Sequence, residues 1–238
     1  MNRPLKGRRI AVLAADGFEK IELTIPVAAL RAAGARVEIV SLRRGRIRGV
    51  NLHEPASRVR VDRTLESASA AAYDGLLVPG GYISPDLLRQ SADARAFVRA
   101  FDTARKPIAS LCHGLWVLAS SGVLSDRVLT SWPGIRDDMV NAGATWLDQA
   151  VVYDGNLVTS RGPQDLVPFV RAIVQHFSAV RAAASDTPRA NASAPQRAQP
   201  PGIVLTAMKW TPRPSLRTLA GVALVAAAAV ALSARRAA

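Results

Sequence analysis

Short apolar runs that alternate with helix-like segments constrain the fold of this 238-residue chain more than any other feature. Four of these runs have the length and composition of strands buried on both faces: residues 9–14, 36–42, 73–79 and 106–111. Apolar residues at helical spacing follow three of them, over residues 19–33, about 85–104, and from 112 or 113 onwards. This alternation predicts an α/β fold, a flavodoxin-like, doubly wound and mostly parallel sheet flanked by helices.

Two hairpins and a last helix complete the predicted folded part. The first hairpin spans residues 46–61, with Gly49 and Pro55 marking its turns. The second joins residues 149–153 to 156–159 through Asp154 and Gly155. Helical spacing then continues over residues 164–177, so the sequence predicts one folded domain over residues 1–178.

The composition changes after residue 178. Residues 179–215 are rich in Ala, Pro, Arg and Ser, which predicts a disordered linker. Residues 216–238 contain an uncharged run, Thr218–Ala234, which predicts a C-terminal hydrophobic helix. A helix of that length spans about 25 Å, somewhat less than a hydrocarbon core of about 30 Å. A membrane tail anchor is the favoured interpretation, and an interfacial or self-associating helix and a merely alanine-rich tail are the alternatives.

The net charge of +13 is unevenly distributed. Residues 1–178 carry a net charge of +6, and the 60 residues after them carry +7. The main basic run of the folded part is Arg43, Arg44, Arg46 and Arg48, which has no aromatic residues between its arginines. Faces that bind nucleic acid usually add stacking residues, so we interpret this run as a solvated hairpin and expect no nucleic-acid partner.

The single cysteine bears on the cellular compartment and on the chemistry. One cysteine excludes an intramolecular disulfide, and the N-terminus lacks the apolar stretch of a signal peptide. We therefore expect a cytoplasmic catalytic domain that residues 216–238 could tether to a membrane.

The segment around Cys112 has the pattern of a nucleophile elbow. A buried strand ends there and a helix begins, and the residues two before and two after Cys112 are the small Ser110 and Gly114. A helix N-terminus favours the thiolate, so this position predicts a lowered pKa for Cys112. His113, the next residue, is the candidate base that activates the thiol.

Six blocks of sequence, in order and with natural spacing, resemble the PfpI branch of the ThiJ/PfpI superfamily, which has a glutamine-amidotransferase-like domain. The blocks are residues 16–26, 78–81, 85–89, 109–116, 131–143 and 158–165. The resemblance covers about residues 8–178. It implies a cofactor-independent, stress-protective cysteine hydrolase that acts on small carbonyl compounds, glycated adducts (as a deglycase or glyoxalase) or peptides. The alternative is a redox-sensing or chaperone-like stress protein in which Cys112 is oxidised without turnover.

The resemblance assigns roles to particular residues. In relatives, an acidic residue four positions before the proline of the first helix hydrogen-bonds the cysteine, and here that residue is Glu22. Glu19, one helical turn earlier, is expected on the same face; both glutamates could instead be solvated helix charges. Gly80 and Gly81 match the backbone that forms an oxyanion hole, although an ordinary turn is the alternative.

Two further assignments concern the edge of the site. Relatives pair the histidine with an acidic residue of a neighbouring subunit, which implies a homo-oligomer (a dimer or larger) and points to Asp86. The Gly81–Asp86 spacing is one residue longer than usual, and a helix N-cap is the alternative role. Trp132 matches an aromatic residue that lines the pocket, or packs in the core. Leu115 replaces the usual proline after Cys-His-Gly.

Other chemical motifs are missing from the sequence. There is no glycine-rich phosphate loop, no dinucleotide fingerprint and no His/Cys cluster at metal-ligand spacing. We therefore expect neither a cofactor nor a metal site. His53 and His176 lie far from ligand-like partners in sequence and are interpreted as structural.

Overall fold

A seven-stranded sheet organises residues 3–178, which are the residues that the computed structural model describes. The strands of this part of the chain are β1 Arg9–Leu13, β2 Phe18–Glu19, β3 Arg36–Ser41, β4 Arg46–Asn51, β5 Glu54–Arg60, β6 Arg63–Thr64, β7 Gly75–Val78, β8 Ile108–Leu111, β9 Val128–Leu129, β10 Thr145–Trp146, β11 Val151–Asp154 and β12 Leu157–Ser160. The α-helices are α1 Lys20–Ala32, α2 Ile83–Arg89, α3 Ala92–Thr103, α4 Leu115–Ser120, α5 Arg136–Asn141 and α6 Leu166–Ser178.

The strand order confirms a mostly parallel α/β sheet flanked by helices. The order across the sheet is β11-β12-β8-β7-β1-β3-β6, and every pair is parallel except β11 with β12. Counted along the chain, the five central strands β3-β1-β7-β8-β12 follow the order 2-1-3-4-5 of flavodoxin-like sheets. The hairpin predicted around Asp154 and Gly155 is β11–β12.

Helices cover both faces because alternate strand residues point to opposite sides of the sheet. In β1, Ile10 and Val12 join the core beneath α1 and α6, whereas Ala11 and Leu13 join the core beneath α3, α4 and α5. The first core contains Leu23 of α1 and Phe169, Ile173 and Phe177 of α6; the second contains Phe97, Phe101, Leu118 and Met139. Both faces of the central strands are therefore buried, which explains their continuous apolar runs.

The predicted arginine-rich hairpin exists, but its turn lies elsewhere than expected. β4 and β5 pair antiparallel, and β2 adds to β4 to make a separate three-stranded sheet. Gly49 lies within β4 opposite Phe18, and Pro55 lies within β5 opposite Val50. The chain turns instead at Leu52 and His53, where Leu52 has a positive φ of 57°. Gly49 is needed for packing, because a Cβ there would lie 2.9 Å from the Phe18 ring.

The helix expected over about 85–104 is two helices, α2 and α3. They are separated at Gln90 and Ser91, and the Ser91 hydroxyl accepts a hydrogen bond from the Ala94 N–H at 3.2 Å, which caps α3. No helix within residues 3–178 is long and apolar enough to cross a membrane. The predicted linker over 179–215 and hydrophobic segment over 216–238 lie outside the described residues.

Candidate active site

The cysteine lies at the carboxyl end of the central sheet, directly after β8. Ligand sites of open α/β sheets form at this edge, where the strand order changes direction. Cys112 has a φ of +56°, a conformation that is uncommon for any residue except glycine. Its side chain is buried, with 6% of its surface exposed. The strained backbone is the sharp strand-to-helix turn that the nucleophile-elbow pattern predicts.

The small neighbours of Cys112 are required by close packing at this turn. The Ser110 hydroxyl donates a hydrogen bond to the Val78 carbonyl at 3.1 Å. A Cβ on Gly114 would lie 2.5 Å from that same carbonyl oxygen and 2.7 Å from Ser110 Oγ. The small residues at 110 and 114 are therefore explained by the close contact between the turn at Cys112 and Val78 at the end of β7.

His113 lies beside the cysteine sulfur. Its Nδ1 is 3.2 Å from Cys112 Sγ, within hydrogen-bonding distance for sulfur. Burial lowers the pKa of His113, while the charge of Asp138 acts in the opposite direction. The imidazole is therefore neutral at physiological pH, and its Nδ1 lies within reach of the thiol proton.

Glu22 approaches Cys112 from α1 and is fully buried. Its Oε2 accepts a hydrogen bond from the Gly80 N–H at 2.8 Å. Its Oε1 is buried and has no hydrogen-bond partner of normal geometry among the described residues. Burial raises the pKa of Glu22 to about 8, although hydrogen bonding to Cys112 and Gly80 acts in the opposite direction. This carboxyl is thus largely protonated at neutral pH.

The pKa of Cys112 moves opposite to the sequence-based prediction. Burial is the main cause that raises the pKa of the thiol, and ionisation of the neighbouring Glu22 carboxyl raises it further. Hydrogen bonds from the backbone N–H groups of His113 and Gly81 lower it, but by less. The expected helix effect is weak because the chain continues from Cys112 as a single 3-10 turn, Cys112–Gly114, before the six-residue α4. The surroundings of Cys112 therefore favour the thiol over the thiolate at neutral pH.

Glu19 is close to the site but is not on the helix face predicted for it. It ends β2 in an extended conformation and is the N-cap residue of α1, so the helix begins one residue later than expected. Its buried carboxylate accepts a hydrogen bond from the Leu52 N–H at 2.8 Å. Burial raises the pKa of Glu19, and its charge contributes to the raised pKa of Glu22.

The two glycines after β7 allow the backbone to approach the reactive side chains. A Cβ on Gly80 would lie 2.4 Å from Glu22 Oε2 and 2.6 Å from Cys112 Cβ. Gly81 has a φ of +81°, and a Cβ there would lie 2.4 Å from the backbone nitrogen of Glu19. Any larger residue at either position would displace the groups that surround the sulfur.

Asp86 and Trp132 occupy different parts of the surroundings. Asp86 is exposed within α2, where Gln90 Nε2 donates to its Oδ2 at 3.2 Å; the N-cap residue of this helix is Tyr82, so the N-cap alternative for Asp86 is wrong. Trp132 is 38% exposed, and its ring stacks on the His113 ring at 5.9 Å with a 25° tilt. Trp132 is therefore a partly open wall beside His113 and not a core residue.

Sequence reasoning missed a second aromatic wall and its acidic partner. The Trp116 ring meets the His113 ring edge-on at 5.0 Å, and Trp116 Nε1 donates to Asp138 Oδ2 at 3.0 Å. The three-residue spacing from His113 to Trp116 could have indicated the first contact. Asp138 lies in the matched block 131–143 and comes from α5, a helix that was not predicted, so nothing in the sequence indicated its contact with Trp116, 22 positions away.

The remaining histidines lie away from this site. His176 Nε2 is 2.9 Å from the Asn156 carbonyl oxygen, and His53 is exposed at the turn of the β4–β5 hairpin. Within residues 3–178, no three His, Cys, Asp or Glu side chains are grouped so that they could hold a metal ion.

Comparison with known proteins places this arrangement in a family. The model of the DJ-1/PfpI family matches residues 8–176. Deglycase PH1704 of Pyrococcus horikoshii is 41% identical over 167 residues, which are 70% of this chain and 98% of the relative. The putative cysteine protease YraA of Bacillus subtilis is 40% identical over 165 residues, covering 69% of this chain and 95% of the relative.

Solved structures agree with the sequence comparison. A two-domain protein from Anabaena variabilis, with DJ-1/ThiJ/PfpI-like and ferritin-like domains, is 34% identical with a TM-score of 0.67; the match covers 71% of this chain and 47% of that one. DJ-1beta of Drosophila melanogaster is 28% identical with a TM-score of 0.66, covering 72% of this chain and 90% of that one.

Proposed function

The chain belongs to the DJ-1/PfpI family, and from that premise we propose that it is a cofactor-independent cysteine hydrolase that acts on carbonyl adducts, in the manner of a deglycase or glyoxalase. One observation carries the proposal. The buried Cys112 sulfur lies 3.2 Å from His113 Nδ1, and the largely protonated Glu22 carboxyl interacts with the same side chain. The relatives include both named deglycases and a putative cysteine protease, which supports hydrolytic chemistry of one of these two kinds.

The first step follows from the positions of these groups. His113 Nδ1 takes the proton of Cys112 as the sulfur attacks the carbonyl carbon of the substrate. A carbon–sulfur bond forms, and the π electrons of the carbonyl move to its oxygen. The backbone N–H groups of Gly81 and His113, which already point towards the sulfur, are donors for that oxyanion. Glu22 then donates its proton to this oxygen, which becomes a hydroxyl, while the proton of the thiol stays on His113.

The shape of the site favours a small carbonyl adduct over an extended peptide. Cys112 is 6% exposed, and the rings of Trp116 and Trp132 flank His113 on two sides. A peptide in extended conformation needs an open groove along several residues, whereas a two- or three-carbon adduct needs access to one atom. We therefore favour deglycase or glyoxalase activity over peptidase activity.

Asp86 is proposed to act across a subunit interface. It is exposed on α2, where it can be presented to a second copy of the chain. Exposed apolar side chains lie on the elements that surround the site: Ile21, Ile25, Leu52 and Tyr82. Burial of this set between copies would form a homo-oligomer in which Asp86 reaches the partner's site. Asp86→Asn should then lower turnover without dissociating the oligomer, as judged by size-exclusion chromatography with light scattering.

The test of the proposed function uses the full-length protein as wild type, Cys112→Ser and His113→Ala. The measurements are methylglyoxal consumption and release of adducts from a glycated thiol or amine. We expect turnover by the wild type and a loss of about a hundredfold or more in both variants, the scale for removing a nucleophile or a general base. Turnover that survives in Cys112→Ser would contradict the assignment.

A second candidate function is a redox sensor, and the protonated Glu22 beside Cys112 favours it. A protonated carboxyl has an O–H that can donate a hydrogen bond to an anionic sulfinate oxygen, the product of oxidation at cysteine. This candidate gains support if Cys112 reacts with peroxide at neutral pH, in wild type and His113→Ala alike, while no carbonyl substrate turns over. For the hydrolase, we further propose a stress-protective role and a cytoplasmic catalytic domain that residues 216–238 tether to a membrane. Fractionation with and without those residues tests the tether.

A further inference from the structure

The arginine-rich hairpin concentrates the positive charge of the described part of the chain. Residues 43–63 contain seven arginines and two acidic residues, a net charge of +5. Residues 1–178 together carry +6, so everything outside this segment nearly balances to neutrality. If the domain were basic in general, the excess arginines would be spread along the sequence. Here the excess positive charge is concentrated in residues 43–63.

The strand register places like charges directly opposite each other. Arg46 pairs with Arg60 and Arg48 pairs with Arg58, while Ile47 opposite Val59 points to the other face. Ile47 is fully buried, whereas Arg46, Arg58 and Arg60 are exposed. Like charges directly opposite on a sheet are destabilising, so the pairing of the exposed Arg46 with the exposed Arg60 lowers the stability of the hairpin itself.

Shallow depressions on this hairpin are lined by guanidinium groups and hydroxyls. One is lined by Arg46, Arg48, Ala56, Ser57 and Arg58, a set without an acidic side chain. A second, beside it, contains Arg44 and Arg60 with Thr64, Ser67 and the acidic Asp62; Arg63 also lines it, but its Nε donates to Glu38 at 3.1 Å. Guanidinium groups and hydroxyls together are the donors that bind phosphate oxygens.

We propose that this face of the β4–β5 hairpin is a docking surface for an anionic phospholipid membrane. Arg46, Arg58 and Arg60 are exposed on one side of this hairpin, so a plane of anionic headgroups can meet several arginines at once. Residues 43–63 contain no Phe, Trp or Tyr, whereas surfaces that bind nucleic acid commonly add stacking residues. The uncharged run 218–234, bracketed by arginines, is a second segment of this sequence that suits a membrane.

The test measures binding of the full-length protein to vesicles of phosphatidylcholine alone and of phosphatidylcholine with 30% phosphatidylserine. The ratio of the two affinities isolates the electrostatic part from any insertion by residues 216–238. The Arg46→Glu/Arg60→Glu variant is compared with Arg99→Glu/Arg171→Glu, which makes the same change of charge at exposed positions on α3 and α6.

Each arginine near an anionic surface contributes roughly fivefold to binding. We therefore expect the phosphatidylserine preference to fall by about 25-fold or more in the hairpin variant and to change by less than about threefold in the control variant. An unaltered rate of Cys112 alkylation by iodoacetamide in both variants shows that the domain remains folded, so loss of binding is separate from loss of the proposed catalytic site.

Three results would overturn the proposal. The first is an equal loss in both variants, which would assign the effect to net charge. The second is a wild type without any preference for phosphatidylserine. The third is displacement of the protein from vesicles by a single-stranded oligonucleotide at equal phosphate concentration, with the hairpin variant also losing the oligonucleotide, which would make the face a nucleic-acid surface.

Discussion

Two buried glutamates, Glu22 and Glu38, have pKa values that shift in opposite directions because their surroundings differ. Glu38 lies in β3, 6% exposed, and its carboxylate contacts the side chains of Arg9, Arg36 and Arg63 at 3.0–3.3 Å. The Tyr73 hydroxyl also donates to it at 2.8 Å. Glu22 accepts one backbone hydrogen bond and forms no ion pair within residues 3–178.

The surroundings decide which form of each carboxyl is stable. Burial alone would raise the pKa of Glu38, but the Tyr73 hydrogen bond and the arginine charges lower it below its ordinary value. Burial raises the pKa of Glu22 to about 8, since no cation compensates. Glu38 is thus an anion at neutral pH that joins the amino-terminal parts of β1 and β3, and Glu22 is a largely protonated carboxyl at the carboxyl edge of the sheet.

The largest difference should appear in turnover. We expect Glu22→Gln to lower methylglyoxal turnover by about a hundredfold, because an amide neither takes up nor releases the proton that the reaction moves. Glu38→Gln should keep turnover within about twofold, since the Glu38 cluster does not contact the site. Equal losses in the two variants, measured at a temperature where both are folded, would remove the distinction.

Stability should show the reverse pattern. We expect Glu38→Gln to lower the free energy of unfolding by about 2 kcal/mol, because three arginines and a buried tyrosine lose a charged acceptor while partial exposure of the arginines limits the cost. Denaturant unfolding at neutral pH measures this value. Glu22→Gln serves as the control, and we expect no loss of stability from it at the same pH.

The pH dependence of stability should have opposite signs for the two residues. The pKa of Glu22 is raised in the folded state, so its contribution is full below the ordinary value of about 4.5 and is lost as the pH rises to about 8. The pKa of Glu38 is lowered, so its contribution is full above the ordinary value and is lost as the pH falls. The difference between wild type and Glu22→Gln should therefore change by at most about 1.4 kcal/mol per pH unit between 5 and 8.

Unfolding curves of wild type, Glu22→Gln and Glu38→Gln at several pH values measure these contributions to the free energy of unfolding. Contributions of the two glutamates that change in the same direction with pH would contradict this account.

The smallest effect concerns the tyrosine alone. Tyr73→Phe removes one hydrogen bond to Glu38 but leaves the three arginines, so we expect a loss of about 1 kcal/mol in the free energy of unfolding. A loss as large as that of Glu38→Gln would mean that Tyr73, and not the arginines, keeps Glu38 ionised.

The chemically specific part of the site was predictable because its residues are adjacent in sequence or lie at strand ends. Cys112 and His113 are neighbours, and Gly80 follows the strand next to theirs, so the parallel sheet brings them together. The direction of the Cys112 pKa was not predictable, because it depends on burial and on Glu22 in another element. The Glu38 cluster was missed for the same reason, since the residues that contact Glu38 include Tyr73, 35 positions away.

The sequence-based predictions of local structure were wrong where tertiary contacts override the propensity of a residue. Gly49 indicated a turn, but it lies within β4 to make room for the Phe18 ring. The helix expected to begin at Glu19 begins at Lys20, because the backbone of Glu19 pairs with Val50 in the neighbouring sheet. These contacts join separate parts of the chain and leave no periodic signal in the sequence.

The most direct measurement of the contrast between the two glutamates is the infrared band of protonated carboxylic acids as a function of pH, in wild type, Glu22→Gln and Glu38→Gln. We expect a band in wild type and Glu38→Gln at pH 6.5 that disappears with a midpoint near 8, and no such component in Glu22→Gln. A band that is missing from wild type at pH 6.5, or that persists unchanged in Glu22→Gln, would show that Glu22 is not the protonated carboxyl beside Cys112.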